Sequence, residues 1–387
     1  MKRLSLLLMF ATLSMAIQAQ QTGQNKNYIS TGMPILLIAP DAVSSGMGDV
    51  GVASTPDIYS AHWNNAKFAF IDGNMGISTT YTPWLRNLHV SDMNLLYLGG
   101  YYRINENSVA AAGLTYFSLG EIENTDNLGN LQGKLHPNEF AVDASYALKL
   151  NENLSLGATV RYIYSNLTDN AIVSSEDASN MATHAARSAA ADIGLYYTTE
   201  IDAQSEMALG LFISNLGAKL SYANEDNDKE FLPANIRIGG RYTSKIDDYN
   251  KISLLVDVNK LLVPTRPIDS TGTRYVRNLT EYNNLGVIQG ALQSFMDAPG
   301  GFREEMQELQ LSAGAEYWYA ETFAARVGYF YEHENKGGRK YATVGFGLRY
   351  TIFSFDFSYL IPTTKISTSP LAHTIRMTIG VDLKPTK

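Results

Sequence analysis

Between residues 352 and 361 the chain reads IFSFDFSYLI. Phe353, Phe355, Phe357, Tyr359 and Ile361 alternate with Ser354, Asp356 and Ser358. A period of two predicts a strand with one apolar and one polar face. The pattern recurs. Over 140–148 one face carries Phe140, Val142, Ala144, Tyr146 and Leu148, and over 154–164 it carries Leu154, Leu156, Ala158, Val160, Tyr162 and Tyr164. Over 371–383 it carries Leu371, His373, Ile375, Met377, Ile379, Val381 and Leu383. About fourteen strands are predicted, near 74–82, 94–104, 107–118, 137–149, 152–166, 187–200, 205–217, 232–245, 249–262, 307–319, 321–333, 339–350, 352–361 and 371–383. At roughly 9–13 residues they exceed ordinary strands and suit a tilted membrane crossing.

The connections alternate in length. Tight turns fall at 104–107, 150–153, 200–204, 245–250, 319–322 and 350–351, most of them supplied with Asn or Asp. Long connections fall at 83–93, 119–136, 167–186, 218–231 and 263–306, with shorter ones of the same parity at 334–338 and 362–370. Short turns at one end and long loops at the other mark an outer-membrane barrel.

Charge follows the same parity. Glu139, Asp143, Arg161, Asp192, Arg237, Arg241, Asp257, Glu316, Arg326, Arg349, Asp356, Arg376 and Asp382 all lie opposite the apolar face. A lipid-facing Arg or Lys near the midplane costs roughly 2–4 kcal/mol, so a bilayer enforces such segregation. The rival is a soluble sandwich with the aromatic face in its core, which has no reason to alternate its loops. The expectation is an all-β transmembrane antiparallel barrel of about fourteen strands. The stretch 107–118 fits neither parity well, and Tyr101, Tyr102, Tyr196, Tyr197, Tyr317, Trp318 and Tyr319 read as an interfacial girdle.

Composition agrees. Only 18% of the 387 residues are charged, against 24 Tyr and 15 Phe, below the ~25% of soluble domains. The net charge of −8 offers no basic stripe for nucleic acid. There is no cysteine, hence no disulfide, thiol nucleophile or Cys metal site. Residues 1–19 read as a secretory signal peptide, with Lys2 and Arg3 before the apolar run Leu4 to Ile17 and small Ala19 at the cleavage point. Residues 20–73 precede the barrel, which occupies 74–387.

Within 20–73, Gly46, Gly48 and Gly51 match GxGxxG literally, but Pro56 follows at once and no βαβ unit surrounds them. They read as a glycine-rich segment packed tightly inside something. GMGDVGVA, then DIYSAHWNNAKFA, then fourteen long strands resemble the FadL family of outer-membrane proteins. Asn64-Asn65-Ala66 stands where that family has Asn-Pro-Ala. The resemblance implies an N-terminal hatch in the lumen. It also implies movement of hydrophobic molecules through an opening in the barrel wall. The start QNKNYISTGMPILLIAPDAVSSGMGDVGVAS and the tail HTIRMTIGVDL are similar to one branch, the PorV (LptO) family of type IX secretion. That resemblance implies a non-enzymatic shuttle. It would take secreted cargo by the cargo C-terminal domain from the Sov translocon to the PorU sortase with PorQ and PorZ, for attachment to lipopolysaccharide. The alternatives are a transporter of hydrophobic small molecules and a lipopolysaccharide deacylase.

No catalytic, cofactor or metal site is predicted. His62, His89, His136, His184, His333 and His373 show no metal spacing, and no GxSxG elbow occurs. Only His373 is placed in a strand on the lipid parity. Two clusters remain. Asp143, Arg161, Arg237, Arg241, Glu316, Arg326, Arg349 and Arg376 are expected to form an ion network in the lumen, structural before functional. In the long connection, Leu285, Val287, Ile288, Leu292, Phe295 and Met296 lie on a predicted helix ended by Pro299-Gly300-Gly301. They are expected either to contact cargo or partner as a lid or to pack over the barrel mouth. Long loops are expected outside the cell and both termini in the periplasm.

Overall fold

The computed structural model describes residues 28–86, 92–125, 131–167, 172–174, 180–182, 184–222, 229–265, 279–363 and 373–383. The expected signal peptide, His89 and the chain end after 383 lie outside these residues. Fourteen antiparallel strands close into one barrel. They are β1 (Met75–Pro83), β2 (Asn94–Asn105), β3 (Ser108–Ser118), β4 (Asn138–Lys149), β5 (Leu154–Asn166), β6 (Ala186–Asp202) and β7 (Ser205–Gly217). The second half comprises β8 (Asn235–Lys245), β9 (Asn250–Leu261), β10 (Gln310–Tyr319), β11 (Phe323–Tyr331), β12 (Lys340–Tyr350), β13 (Phe353–Pro362) and β14 (Ile375–Leu383). Each strand pairs with its chain neighbour, and β14 closes on β1 from Met75↔Leu383 to Tyr81↔Met377. Closure leaves no free edge, as a bilayer requires.

The short-turn end is built by local hydrogen bonding. The side chains of Asn105, Asn151, Asp202 and Asp247 each accept from the backbone N–H two residues on. Ala320 and Glu321 both have positive φ in the three-residue connection between the paired Tyr319 and Phe323, a turn whose twist matches the flanking strands. At the other end the long connections carry small hairpins, such as Ile122–Thr125 with Leu131–Leu135, and short helices. Strand starts depart from the sequence pattern where backbone chemistry interrupts it. β8 begins after Pro233, which has no N–H for a ladder. β14 begins at Ile375, so His373 stands outside the strand with φ 61°.

Outward and inward faces alternate as the pattern predicts. Val142, Tyr146, Val160, Tyr162, Ile379 and Leu383 are exposed, and Asp143, Arg161, Asp257, Arg326, Asp356 and Arg376 are buried. β3 also alternates cleanly. Its inward Val109, Ala111 and Phe117 are buried, and its outward Leu114 and Tyr116 are exposed. Three girdle residues are corrected. Tyr101 and Tyr196 are buried on the inward face, bonding Asp382 and Arg241, and Trp318 turns toward Arg326 and Arg349. Neighbours on a pleated strand cannot share a face.

The chain ahead of β1 touches inward side chains from many strands. Met33, Ile35 and Leu36 pack with Leu95, Phe117, Ala141 and Ile163. Ile58, Ala61, Phe68, Ala69 and Ile71 pack with Val109, Ala111 and Ala147. Trp63, at 1% exposure, joins Met47, Val50, Tyr97 and Leu255.

Candidate functional site

The glycine-rich run is held on the inner wall by its backbone. Asp41 caps the short helix Ala42–Ser45 by accepting from the Ser44 N–H, and its other oxygen accepts from the Trp63 indole at 2.6 Å. The Ala42 N–H donates to Thr378, the Gly48 N–H to Thr343 at 2.8 Å, and the Gly51 and Val52 N–H groups to one oxygen of Asp257 at 2.8 and 3.0 Å. Asn64 donates to the carbonyls of Val52 and Leu195, and Asn65 to Thr159. Lys67 is fully buried and donates to the Gly51 carbonyl and Ser54 hydroxyl. The GxGxxG glycines thus serve close packing inside the barrel.

A belt of glycines on the wall matches them. A Cβ at Gly157 or Gly194 would meet Asn65 at 2.3 Å, one at Gly210 would meet the Val52 carbonyl at 2.3 Å, and one at Gly328 would meet the Met47 backbone at 2.0 Å. Gly157 pairs directly with Gly194, Gly210 with Gly239, and Gly314 with Gly328. The sequence reading missed this belt. Its signal is a glycine on the inward parity of successive strands.

The expected ion network resolves into separate groups. Arg161 bonds Asp143 and also Asp192, at 2.9 Å. Arg326 bonds Glu316 at 2.7 Å and Asp356 at 2.8 Å, and Arg349 bonds the same Asp356. Arg241 reaches Glu206 and the Ala53 carbonyl. Arg237 and Arg376 form no ion pair among the described residues. Arg237 lies 4.7 Å over the Trp63 ring, and Arg376 donates to the Ala39 carbonyl at 3.0 Å. At the short-turn end a polar cavity of about 700 Å3 lies among Asp57, Arg241, Lys251, Trp318, Glu321 and Arg349.

The long connection has its own structure. Beyond 263–265, its described part contains α1 (Leu279–Asn284), α2 (Val287–Gln293) and α3 (Phe302–Glu305). Ala291 packs with Ala234 and Leu262 beside Ile213, Leu216 and Ile236. Ile213 and Ile236 share the outward parity of β7 and β8, so α2 rests on the outer flank of the rim. Of the six candidate contact residues, Ile288, Leu292, Phe295 and Met296 are exposed, Met296 at 91%. Val287 is half-buried, and Leu285 packs toward Phe231 and Tyr282. Phe302 and Met306 extend the exposed apolar surface.

An ion cluster fixes this segment. Lys260 binds Glu305 and Glu308, and Lys336 binds Glu304 and Glu308. Asp297 accepts from the Thr265 N–H at 2.9 Å, and burial, reinforced by Glu308 and Glu305, pushes its carboxyl up to about 6. The glutamates of REEMQE were legible as charges, but nothing in the sequence paired them with Lys260 and Lys336. His373 hydrogen-bonds Tyr359, and among the described residues no carboxylate and histidine cluster could hold a metal ion.

Comparison with known proteins bears on this geometry. No curated protein matches the sequence. Among solved structures, the CymD monoaromatic hydrocarbon channel is 14% identical, with a TM-score of 0.51 over 91% of this chain and 99% of that one. The toluene transporter TodX of P. putida is 10% identical, with a TM-score of 0.50 over 89% and 99%. A FadL homologue of Pseudomonas aeruginosa is 10% identical, with a TM-score of 0.46 over 92% and 99%. The first two share the fold with this chain. The family described as Type IX secretion system protein PorV matches residues 21–268, well over half of the sequence. The chain belongs to the PorV family and is an outer-membrane component of type IX secretion.

Proposed function

We propose that this protein is a non-enzymatic shuttle and scaffold. It receives secreted cargo by the cargo C-terminal domain and delivers it to the sortase attachment complex. In this reading the long loops face the outside of the cell and the termini the periplasm. The segment ahead of β1 stays seated as a plug. Its many contacts with the inner wall support a scaffold over a conduit for hydrophobic small molecules.

The observation that carries the reading is the exposed stripe of Ile288, Leu292, Phe295 and Met296. Ile288 and Leu292, four apart, share one face of α2, and Phe295 and Met296 follow in the turn after it. A contiguous exposed apolar patch marks an interaction surface. The Lys260 and Lys336 ion pairs anchor Glu304, Glu305 and Glu308 just after it, and Lys260 lies 5.6 Å over the Phe295 ring. Such preorganisation lowers the ordering cost of binding. Deleting 284–298, or introducing Leu292→Glu with Met296→Glu, is expected to abolish crosslinking to a cargo C-terminal domain. The folded barrel band should persist on unheated gels. Unchanged capture by an assembled variant rejects this role for the loop.

A further inference from the structure

We propose that the outer wall over β4–β7 carries a binding site for an acylated lipid with a phosphate-bearing headgroup. An apolar cleft of about 500 Å3 opens there among Val142, Ala144, Val160, Tyr162, Ala189 and Ala191. Small alanines on β6 stand across from bulky partners on β5, Ala189↔Tyr162 and Ala191↔Val160. The β6–β7 ladder also breaks its register between Ala191 and Ile193. One extra residue on β7 makes a bulge there, with Asn215 at φ 60°. Beneath the cleft Arg161 joins Asp143, Asp192 and Asn215, so the cleft has a floor and is open to the lipid side.

Directly toward the long loops lies a second pocket of about 620 Å3, lined by Tyr164, His184, Arg187, Lys219 and Ser221. Arg187 pairs across to Tyr164, one outward position beyond Ala189↔Tyr162, or about 7 Å along the strand. The two pockets therefore lie next to each other along β5 and β6, the lower one apolar and the upper one basic.

Charge identifies the occupant. Among the described residues three basic side chains face outward at the loop ends of strands: Arg187, Lys260 and Lys340. Lys260 is paired with Glu305 and Glu308, and Lys340 with Glu334. Arg187 has no carboxylate partner among the described residues. Its guanidinium lies 5.9 Å over the Tyr164 ring and is exposed. Lys219 adds positive charge beside it, held by the carbonyls of Tyr282 and Asn283. Glu139, the acidic residue at this level of β4, is buried inward and accepts from Ser165. A cation at headgroup depth above an apolar cleft fits a lipid phosphate, which a guanidinium binds through two parallel hydrogen bonds.

The test is native mass spectrometry of the purified full-length protein, with phosphatidic acid and diacylglycerol of matched chains. Phosphatidic acid should be retained about tenfold better than diacylglycerol, the increment of one charge-assisted contact. Arg187→Gln should reduce that ratio to near one. Ala189→Phe, which fills the cleft from the lipid side, should lower retention of both lipids. Millimolar inorganic phosphate should not displace the lipid. Equal retention by wild type and an assembled Arg187→Gln overturns the proposal. So does full displacement by phosphate alone, which would mark an anion site without a chain. Capture of cargo is a separate readout, so failure here leaves the loop assignment standing.

Discussion

On β3, β4 and β5 the inward positions include Val109, Ala111, Phe117, Ala141, Ala147 and Ile163. On β9 to β14 they include Asp257, Glu316, Arg326, Thr343, Asp356, Arg376 and Thr378. The two inner surfaces meet the segment ahead of β1 by different balances of contact. The first packs against Ile35, Ile58 and Phe68 mainly through non-directional apolar contact, with Thr159 and Ser155 of β5 adding bonds to Asn65 and the Ala66 carbonyl. The second grips residues 39–52 through bonds to backbone N–H and C=O groups. The outer wall shows no such division, because lipid imposes one requirement all round. The inner wall answers locally to whatever touches it.

The sharpest way to break this arrangement is the glycine belt, where both surfaces admit backbone. Gly328→Ala places a Cβ at 2.0 Å from the Met47 carbonyl carbon. Main chain cannot swing aside as a side chain can, so the cost should exceed the ~1–3 kcal/mol of ordinary overpacking. Limited proteolysis should cut within residues 40–56 in the variant and not in the parent. Gly240→Ala supplies the contrast. It faces outward on β8, and its nearest neighbour is Leu209 Cδ2 at 3.3 Å. Its protection should be unchanged.

Next in size is the polar side alone. Arg326→Met leaves Glu316 and Asp356 buried without their common partner, although Asp356 keeps Arg349. Breaking a buried ion group this way costs about 3–5 kcal/mol. Chemical denaturation of the refolded protein measures it. Adding Glu316→Gln should recover part of the loss. If Arg326→Met is neutral, the ion group is not structural.

How much of this was legible follows from the same comparison. Strand positions and outward residues were readable because one solvent, lipid, set them. The stretch 107–118 fitted neither parity because its inward face meets an apolar segment, so both faces carry hydrophobic residues. Arg237 and Arg376 were read into an ion network by parity. Parity fixes a face and not a partner, and both point at the inserted chain. Asp192 and Asp356 complete two ion groups but were noted only as inward charges. The loop stripe was visible as a helical spacing. Its seat on the flank depends on Ala234, Leu262 and Ala291 meeting across long sequence separations, which no local pattern records.

A smaller effect separates the two gripping modes further. Asp257→Asn keeps the shape of the acceptor for Gly51 and Val52 but removes its charge. Charge-assisted bonds contribute about 1.5–3 kcal/mol against about 1 for neutral ones. The expected loss is thus on the order of 1 kcal/mol, read as a lower denaturation midpoint. Ile163→Ala on the apolar surface should cost more, about 2–5 kcal/mol. A larger loss from Asp257→Asn than from Ile163→Ala would reverse the order of importance assigned to the two surfaces.

The smallest expected effect concerns the loop that both surfaces leave outside. Docking the loop raises the Asp297 carboxyl from its usual 3.8 to about 6, chiefly by burial. Between those values the docked loop holds a proton that the released loop does not. Docking therefore weakens as pH rises from about 4 to about 6 and reaches its full penalty above that. The group is partly solvated, so the effect is modest. Protease nicking within 284–306, corrected for the pH dependence of the protease on a peptide substrate, should be slower at pH 5 than at pH 7. Asp297→Asn should flatten that dependence while preserving the bond from the Thr265 N–H. If the variant keeps the wild-type slope, another group governs the loop, and the carboxylates around Lys260 and Lys336 become the next to substitute.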